Sequence, residues 1–112
     1  MTAKERFAQY LEAYAVKDLP RVSAMFSADI ALRDWKISVV GKDAAMAETE
    51  KNFRSAKSIE INILATYESD NAVVGELRIV VDRAEVLHVV DVVSFNAKGE
   101  IASIRAYLGR AD

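Results

Sequence analysis

Residues 87–95 read Leu87-His88-Val89-Val90-Asp91-Val92-Val93-Ser94-Phe95. Their density of β-branched and aromatic side chains predicts a β-strand. Successive side chains on a strand point to opposite faces, so Leu87, Val89, Asp91, Val93 and Phe95 share one face. Four of the five are apolar, and the middle one is an acid. A carboxyl group on a core-facing row must find partners or take up a proton. The other face carries Val86, Val90 and Val92, with His88 among them and away from Asp91. One face of an antiparallel sheet in a small monomer is normally wet. A second apolar face therefore predicts a cover, and a symmetric homodimer through this convex face is the simplest one.

Strands and turns extend on both sides of this stretch. Asn96-Ala97-Lys98-Gly99 is hairpin chemistry. It leads into a closing strand, Ile101 to Leu108, with Ala102, Ile104, Ala106 and Leu108 on one face and Arg105 pairing on the convex side. Upstream, Asp82-Arg83-Ala84 forms a turn after a strand from Val73 to Asp82, in which Gly75 marks a bulge. Before the Ser69-Asp70-Asn71 turn, Ser58 to Glu68 alternates and puts Ile59, Ile61, Ile63, Ala65 and Tyr67 on one side. No helix separates these four strands, so they form an antiparallel meander.

The N-terminal half is helical. Thr2 with Glu5 makes a capping box, and Phe7, Tyr10, Leu11 and Tyr14 recur at helical spacing. Asp18 caps a second, short helix that tolerates Pro20 in its first turn and packs through Val22, Met25 and Phe26. A short strand follows with Ile30, Leu32 and Asp34 on one parity and Arg33 and Trp35 on the other, then a second from Ile37 to Val40. Asp43 caps a third helix to about Ser55, with Met46 and Phe53 inward and Ala45 and Thr49 beside them. Helices first and a sheet after them predict an α+β domain spanning 1–112, with its three N-terminal helices packed on one sheet face.

Composition narrows the function. The chain has 112 residues, one domain's worth. Fifteen Lys and Arg stand against seventeen Asp and Glu, a net charge of −2, which argues against nucleic acid as a partner. There is no Cys and a single His, so neither a thiolate nor a multi-histidine metal site is available within one chain, and no metal or cofactor is expected. The start, MTAKERF, is charged rather than apolar, and no apolar run approaches bilayer length. The expectation is a soluble cytoplasmic protein with no membrane partner.

Three polar groups then stand on three apolar rows: Tyr10 on the inner stripe of the first helix, Asp34 ending the row of the first strand, and Asp91 in the middle of a central strand. If the first helix crosses the concave face, all three approach one cavity. An acid in an apolar pocket has its pKa raised and can stay neutral near pH 7 as a hydrogen-bond donor. A tyrosine hydroxyl beside it is a second donor, and two donors stabilise an oxyanion or enolate. An ionised acid nearer the mouth can shuttle a proton.

The segments FAQYLEAYAVKDL, MFSADIALRD and VVDVVSFNAKGEIASIRAYLG resemble, in sequence and spacing, the NTF2-like superfamily on its SnoaL-like and ketosteroid-isomerase side. The resemblance covers nearly the whole chain. It implies a cone-shaped α+β fold, with three helices on a strongly curved, mainly antiparallel sheet, and a dimer. It also implies roles: Tyr10 and Asp91 as the oxyanion donors and Asp34 as the base. The activity it suggests is cofactor-free isomerisation or a cyclase-type aldol step on a small apolar, carbonyl-containing molecule. A non-catalytic ligand-binding or dimerisation module is the alternative. Tyr14, Trp35, Phe53, Val89, Val93 and Ile104 are the expected pocket lining. Asp34 is followed here by Trp35 and Lys36, where the isomerases carry Pro, and Phe53 stands where a supporting Tyr could serve.

Overall fold

A computed structural model describes residues 1–111. Their order is α1 (Ala3–Ala15), α2 (Leu19–Met25), β1 (Phe26–Arg33), β2 (Ser38–Val40), α3 (Lys42–Ser55), β3 (Ile59–Glu68), β4 (Ala72–Val81), β5 (Glu85–Phe95) and β6 (Ile101–Leu108). The strands form one six-stranded sheet in the order β2-β1-β6-β5-β4-β3. All neighbours are antiparallel except β1 and β6. That parallel pair is possible because α3 and the β3–β5 meander lie between β1 and β6 in the chain.

The helix ends follow side-chain chemistry. At α1 the Glu5 amide donates to Thr2 Oγ1 at 3.1 Å and the Thr2 amide to Glu5 Oε1 at 2.9 Å, closing the capping box. At α2 Asp18 accepts from the Arg21 amide at 3.1 Å. Helix α3 departs from expectation. Its N-cap is Gly41, at φ 99°, and Asp43 lies inside the first turn, where its charge still complements the helix dipole. Its buried stripe is Ala45, Thr49 and Phe53, with Met46 only half-buried. Among the described residues no helix is long and apolar enough to cross a membrane.

Helix α1 packs on β3 and β4, α3 packs on β1 and β2, and α2 joins the two helices. The core between helices and sheet contains Phe7, Leu11, Phe26, Ile30, Leu77, Val93 and Ile101. Two details of the sheet differ from strict alternation. The β3–β4 register slips between Ile63 and Ala65. A bulge at Leu64 therefore puts Ala65 and Tyr67 on the opposite face from Ile63, and Tyr67 is exposed, with its hydroxyl donating to Glu76 at 2.8 Å. Gly75 is not the bulge; it keeps regular register with β5. In β6 the slip between Ser94 and Phe95 pairings turns Ile101 inward in place of Ala102, so Ile101 and Ile104 are both buried. The β6 bulge lets bulky Ile101 reach the core where plain period-two alternation would offer Ala102, whereas the β3 bulge turns Tyr67 out.

The β4–β5 turn has Asp82 and Arg83 at φ 56° and 60°, with the Ala84 amide donating to the Val81 carbonyl at 3.1 Å. Both central residues at positive φ make it a type I′ hairpin turn. Arg105 lies beside Arg33 across the β1–β6 pair and makes no ion pair with a described residue, contrary to the expected pairing.

Ser27 Oγ is the one buried side-chain polar atom without a partner among the described residues. A buried, unsatisfied hydroxyl costs about 1–3 kcal/mol of desolvation. Ser27→Ala should therefore raise stability by about 1 kcal/mol, seen as a higher urea midpoint at unchanged slope. A lower midpoint would mean that the hydroxyl has a partner in solution.

Candidate active site

The site is set by strand register. Asp91 pairs with Gly75 in β4 and with Ala106 in β6. Arg33 pairs with Arg105, so the next residue, Asp34, comes alongside Ala106. One inner row thus reads Asp34, Ala106, Asp91, Gly75. The row on one side is Leu32, Ile104, Val93 and Val73, and that on the other includes Leu108, Val89 and Leu77. Two rows of bulky side chains therefore flank a row whose only large members are two acids. The spacing of adjacent strands puts those acids about 10 Å apart at Cα, with only a methyl group between them.

Helix α1 closes one end of this trough. A Cβ on Gly75 would lie 2.4 Å from Phe7 Cζ and 2.7 Å from Cε2. Phe7 is fully buried, so its ring fills the space over Gly75 beside Asp91. Gly75→Ala should destabilise by about 1–3 kcal/mol, because a rigid buried ring must move. Thermal unfolding checks this; an unchanged midpoint would mean that α1 can lift off the sheet.

Tyr10 follows Phe7 by three residues and so shares its helix face. It is 5% exposed and stacks against Phe26 and Tyr14, each with ring centroids 6.0 Å away. Tyr14 meets Phe53 edge-on at 4.8 Å, and its hydroxyl oxygen accepts from Asn52 Nδ2 at 3.0 Å. Val89, Val93 and Ile104 are buried on the inner face. Trp35 is 41% exposed in the β1–β2 turn.

Asp91 is 8% exposed. Its carboxyl makes no hydrogen bond to a described residue, yet neither oxygen is sealed off, since only Ser27 Oγ combines full burial with no partner. The same holds for the Tyr10 hydroxyl. Both groups therefore face accessible space. Burial first, and the nearby Asp34 second, push the Asp91 carboxyl up to about 7. Tyr10 is raised well above the usual tyrosine range by burial, then by Tyr14 and Asp91. Tyr14 is raised by burial too; the Asn52 hydrogen bond works the other way, and Asp91 and Asp34 add smaller upward pushes.

Asp34 has a second engagement. Strand β1 ends at Arg33, and Asp34 opens the turn to β2. Its Oδ1 accepts from the Lys36 amide at 2.6 Å and the Ile37 amide at 2.9 Å, while its own amide donates to the Ile37 carbonyl at 2.9 Å. This Asx-type turn fixes the carboxyl and leaves Oδ2 as the oxygen without a protein partner.

The electrostatic neighbours order the cluster. Asp34 acts on Asp91 and Tyr14, and Asp91 acts on both tyrosines; burial orders them the same way, with Tyr10 5% exposed and Asp34 half-buried. Tyr10 is the deep member and Asp34 the outer one. The sequence reading missed Asn52, whose role depends on how α1 meets α3, and it missed Ala106 and Gly75 as makers of space. Their small size beside Asp91 was visible once register was known.

Two open grooves lie elsewhere. One, of about 450 Å³, runs between α2 and α3 past Leu19, Ser23 and Met46. The other, of about 560 Å³, lies at the start of α1 beside Arg6, Asn96 and Gly99. Neither is lined by Tyr10, Asp34 or Asp91. Among the described residues no three His, Cys, Asp or Glu side chains gather as a metal site requires.

The model of the SnoaL-like domain matches residues 7–104, most of the chain. The chain belongs to the SnoaL-like domain family. Its fold is NTF2-like, and solved structures at low identity share it. The epoxide hydrolase/cyclase-like enzyme SalBIII, of pyran ring formation in the polyether salinomycin, is 19% identical with a TM-score of 0.83, over 96% of this chain and 90% of that one. A protein from Kribbella flavida assigned as a ketosteroid isomerase is 8% identical with a TM-score of 0.85, over 98% and 79%. A computationally designed 17-OHP binder is 14% identical with a TM-score of 0.82, over 93% and 90%. Among curated proteins, none matches by sequence. For this SnoaL-like protein, membership brings the site to an architecture that carries isomerase-like, cyclase-like and ligand-binding proteins.

Proposed function

We propose that this SnoaL-like protein binds a small carbonyl compound over Ala106 and moves a proton next to the carbonyl without a cofactor. The observation that carries the reading is the buried, unpartnered Asp91 carboxyl, raised to about 7 by burial first and by the nearby Asp34 second. Protonated Asp91 and Tyr10 donate hydrogen bonds to the carbonyl oxygen as it gains charge. Asp34 Oδ2 takes a proton from the adjacent carbon and returns it elsewhere on the carbon frame, so an isomerisation balances with no other reactant. Isomerase-like and cyclase-like proteins among the structural neighbours support this class of chemistry. A trough walled by Val93, Val89 and Ile104 favours an apolar ligand. In the same reading the convex face, with Val74, Val90 and Val92 in one apolar patch and Val86 43% exposed, is covered by a second copy.

The apolar convex face, with Val74, Val90 and Val92 together and Val86 exposed, favours a second reading: a dimerisation module without turnover. The deciding assay follows conjugated-enone absorbance from β,γ-unsaturated ketones, from cyclic ketones of one ring up to a steroid. Saturable turnover supports proton transfer. Enone binding without turnover reduces the protein to a ligand-binding module, and no binding at all leaves dimerisation.

A further inference from the structure

Tyr14 differs from Tyr10 in one respect that the proton-transfer reading leaves unused. Its oxygen already accepts a hydrogen bond, from Asn52 Nδ2 at 3.0 Å, and its own proton has no acceptor among the described residues. A hydroxyl that accepts becomes a better donor, because the two bonds polarise each other. Packing fixes the ring on both sides, edge-on to Phe53 at 4.8 Å and to Tyr10 at 6.0 Å. Both carboxyls act on this hydroxyl, whereas only Asp91 acts on Tyr10. Tyr14 follows Tyr10 by one turn of α1 and meets its ring at 6.0 Å, so it borders the site on the side where its hydrogen-bond partner Asn52 is solvent-exposed.

We propose that Tyr14 is a ligand-oxygen donor of the site and that Asn52, from α3, is the positioning residue that aims and polarises it. The inference rests on the carbonyl-binding reading above, but not on turnover. Asn52 supplies an N–H to the phenolic oxygen, so the Tyr14 proton is left for the ligand. An acceptor at position 52 would instead capture that proton and silence the donor. If the Asn52 contact served only to tie α1 to α3, its loss would change stability and leave the bound ligand's electronic state untouched.

The test uses stable conjugated enones, cyclohex-2-enone and progesterone, as probes of the folded protein. Hydrogen-bond donation to the enone oxygen shifts its absorbance to longer wavelength. Tyr14→Phe should bind the better probe roughly 3- to 10-fold more weakly and reduce the red shift. Asn52→Asp should do the same with the Tyr14 ring still in place. Independently, in a Tyr10→Phe background, ultraviolet titration should show Tyr14 ionising at higher pH once Asn52 is replaced by Ala, because the donated N–H favours the phenolate. Full red shift in Tyr14→Phe, an unchanged shift in Asn52→Asp, an unmoved Tyr14 titration, or no enone binding at all would each overturn the proposal. Absence of turnover with these shifts intact would count against the enzyme reading alone.

Discussion

Asp91→Asn should be more stable than the wild type at pH 8, and the advantage should fade as the pH falls to 4. The folded protein holds the Asp91 proton up to about pH 7, whereas the unfolded chain releases it near 3.8. Between those values the folded state binds more protons, so stability falls as pH rises. Below 3.8 both states are protonated and the carboxyl costs nothing extra. Above about 7 the folded state carries the whole penalty of an ion among Val89, Val93 and Phe7. The gap between 3.8 and about 7 corresponds to roughly 4 kcal/mol, and relaxation around the charge reduces this to about 2–4 kcal/mol. Asn has the shape of the protonated acid and no charge to bury. Urea unfolding of both proteins from pH 4 to 8 reads the difference directly. Parallel stability curves would show that Asp91 ionises freely in the folded state and is no neutral donor near pH 7.

The same residue shows how far the sequence could be read. The face shared by Leu87, Val89, Asp91, Val93 and Phe95 follows from period-two alternation, because β5 is central and runs without a bulge until its last residue. Edge and end positions were less legible. Tyr67 and Ala102 were assigned to the wrong faces because a bulge shifts parity, and nothing local to Leu64 or Ala102 announces one. Asp43 looked like a cap because its side chain suits one, but Gly41 at positive φ had already turned the chain into α3. At the site, Tyr10, Asp34 and Asp91 were each visible as a polar group on an apolar row. The trough that joins them was not, since it depends on Ala106 and Gly75 arriving beside Asp91 from strands far apart in sequence. Whether Asp34 serves a turn or the site was not decided either, because a strand-ending acid has the same one-dimensional pattern in both roles.

That double engagement of Asp34 shapes the second large effect. Asp34→Asn should lower turnover of a β,γ-unsaturated ketone by roughly 10²- to 10⁴-fold, the range for loss of a positioned general base. Stability should change by less than about 0.5 kcal/mol. The reason is geometric: an amide oxygen can still accept the Lys36 and Ile37 amides, so the turn survives while the basic oxygen is lost. Asp34→Ala removes both functions and should also destabilise by about 1–2 kcal/mol through two orphaned amides. Asp91 offers a check that needs no substrate. The charge on Asp34 is the second cause of its raised value, so in Asp34→Asn the Asp91 titration should move down from about 7 but stay above the usual carboxylate range, since burial, the larger cause, remains. Turnover equal to wild type in Asp34→Asn would remove the base. Turnover lost together with stability would make Asp34 a turn former whose charge is incidental. Only lost turnover with an intact fold and a shifted Asp91 fits a carboxylate that reaches into the trough, because a turn residue facing away from it would leave Asp91 unmoved.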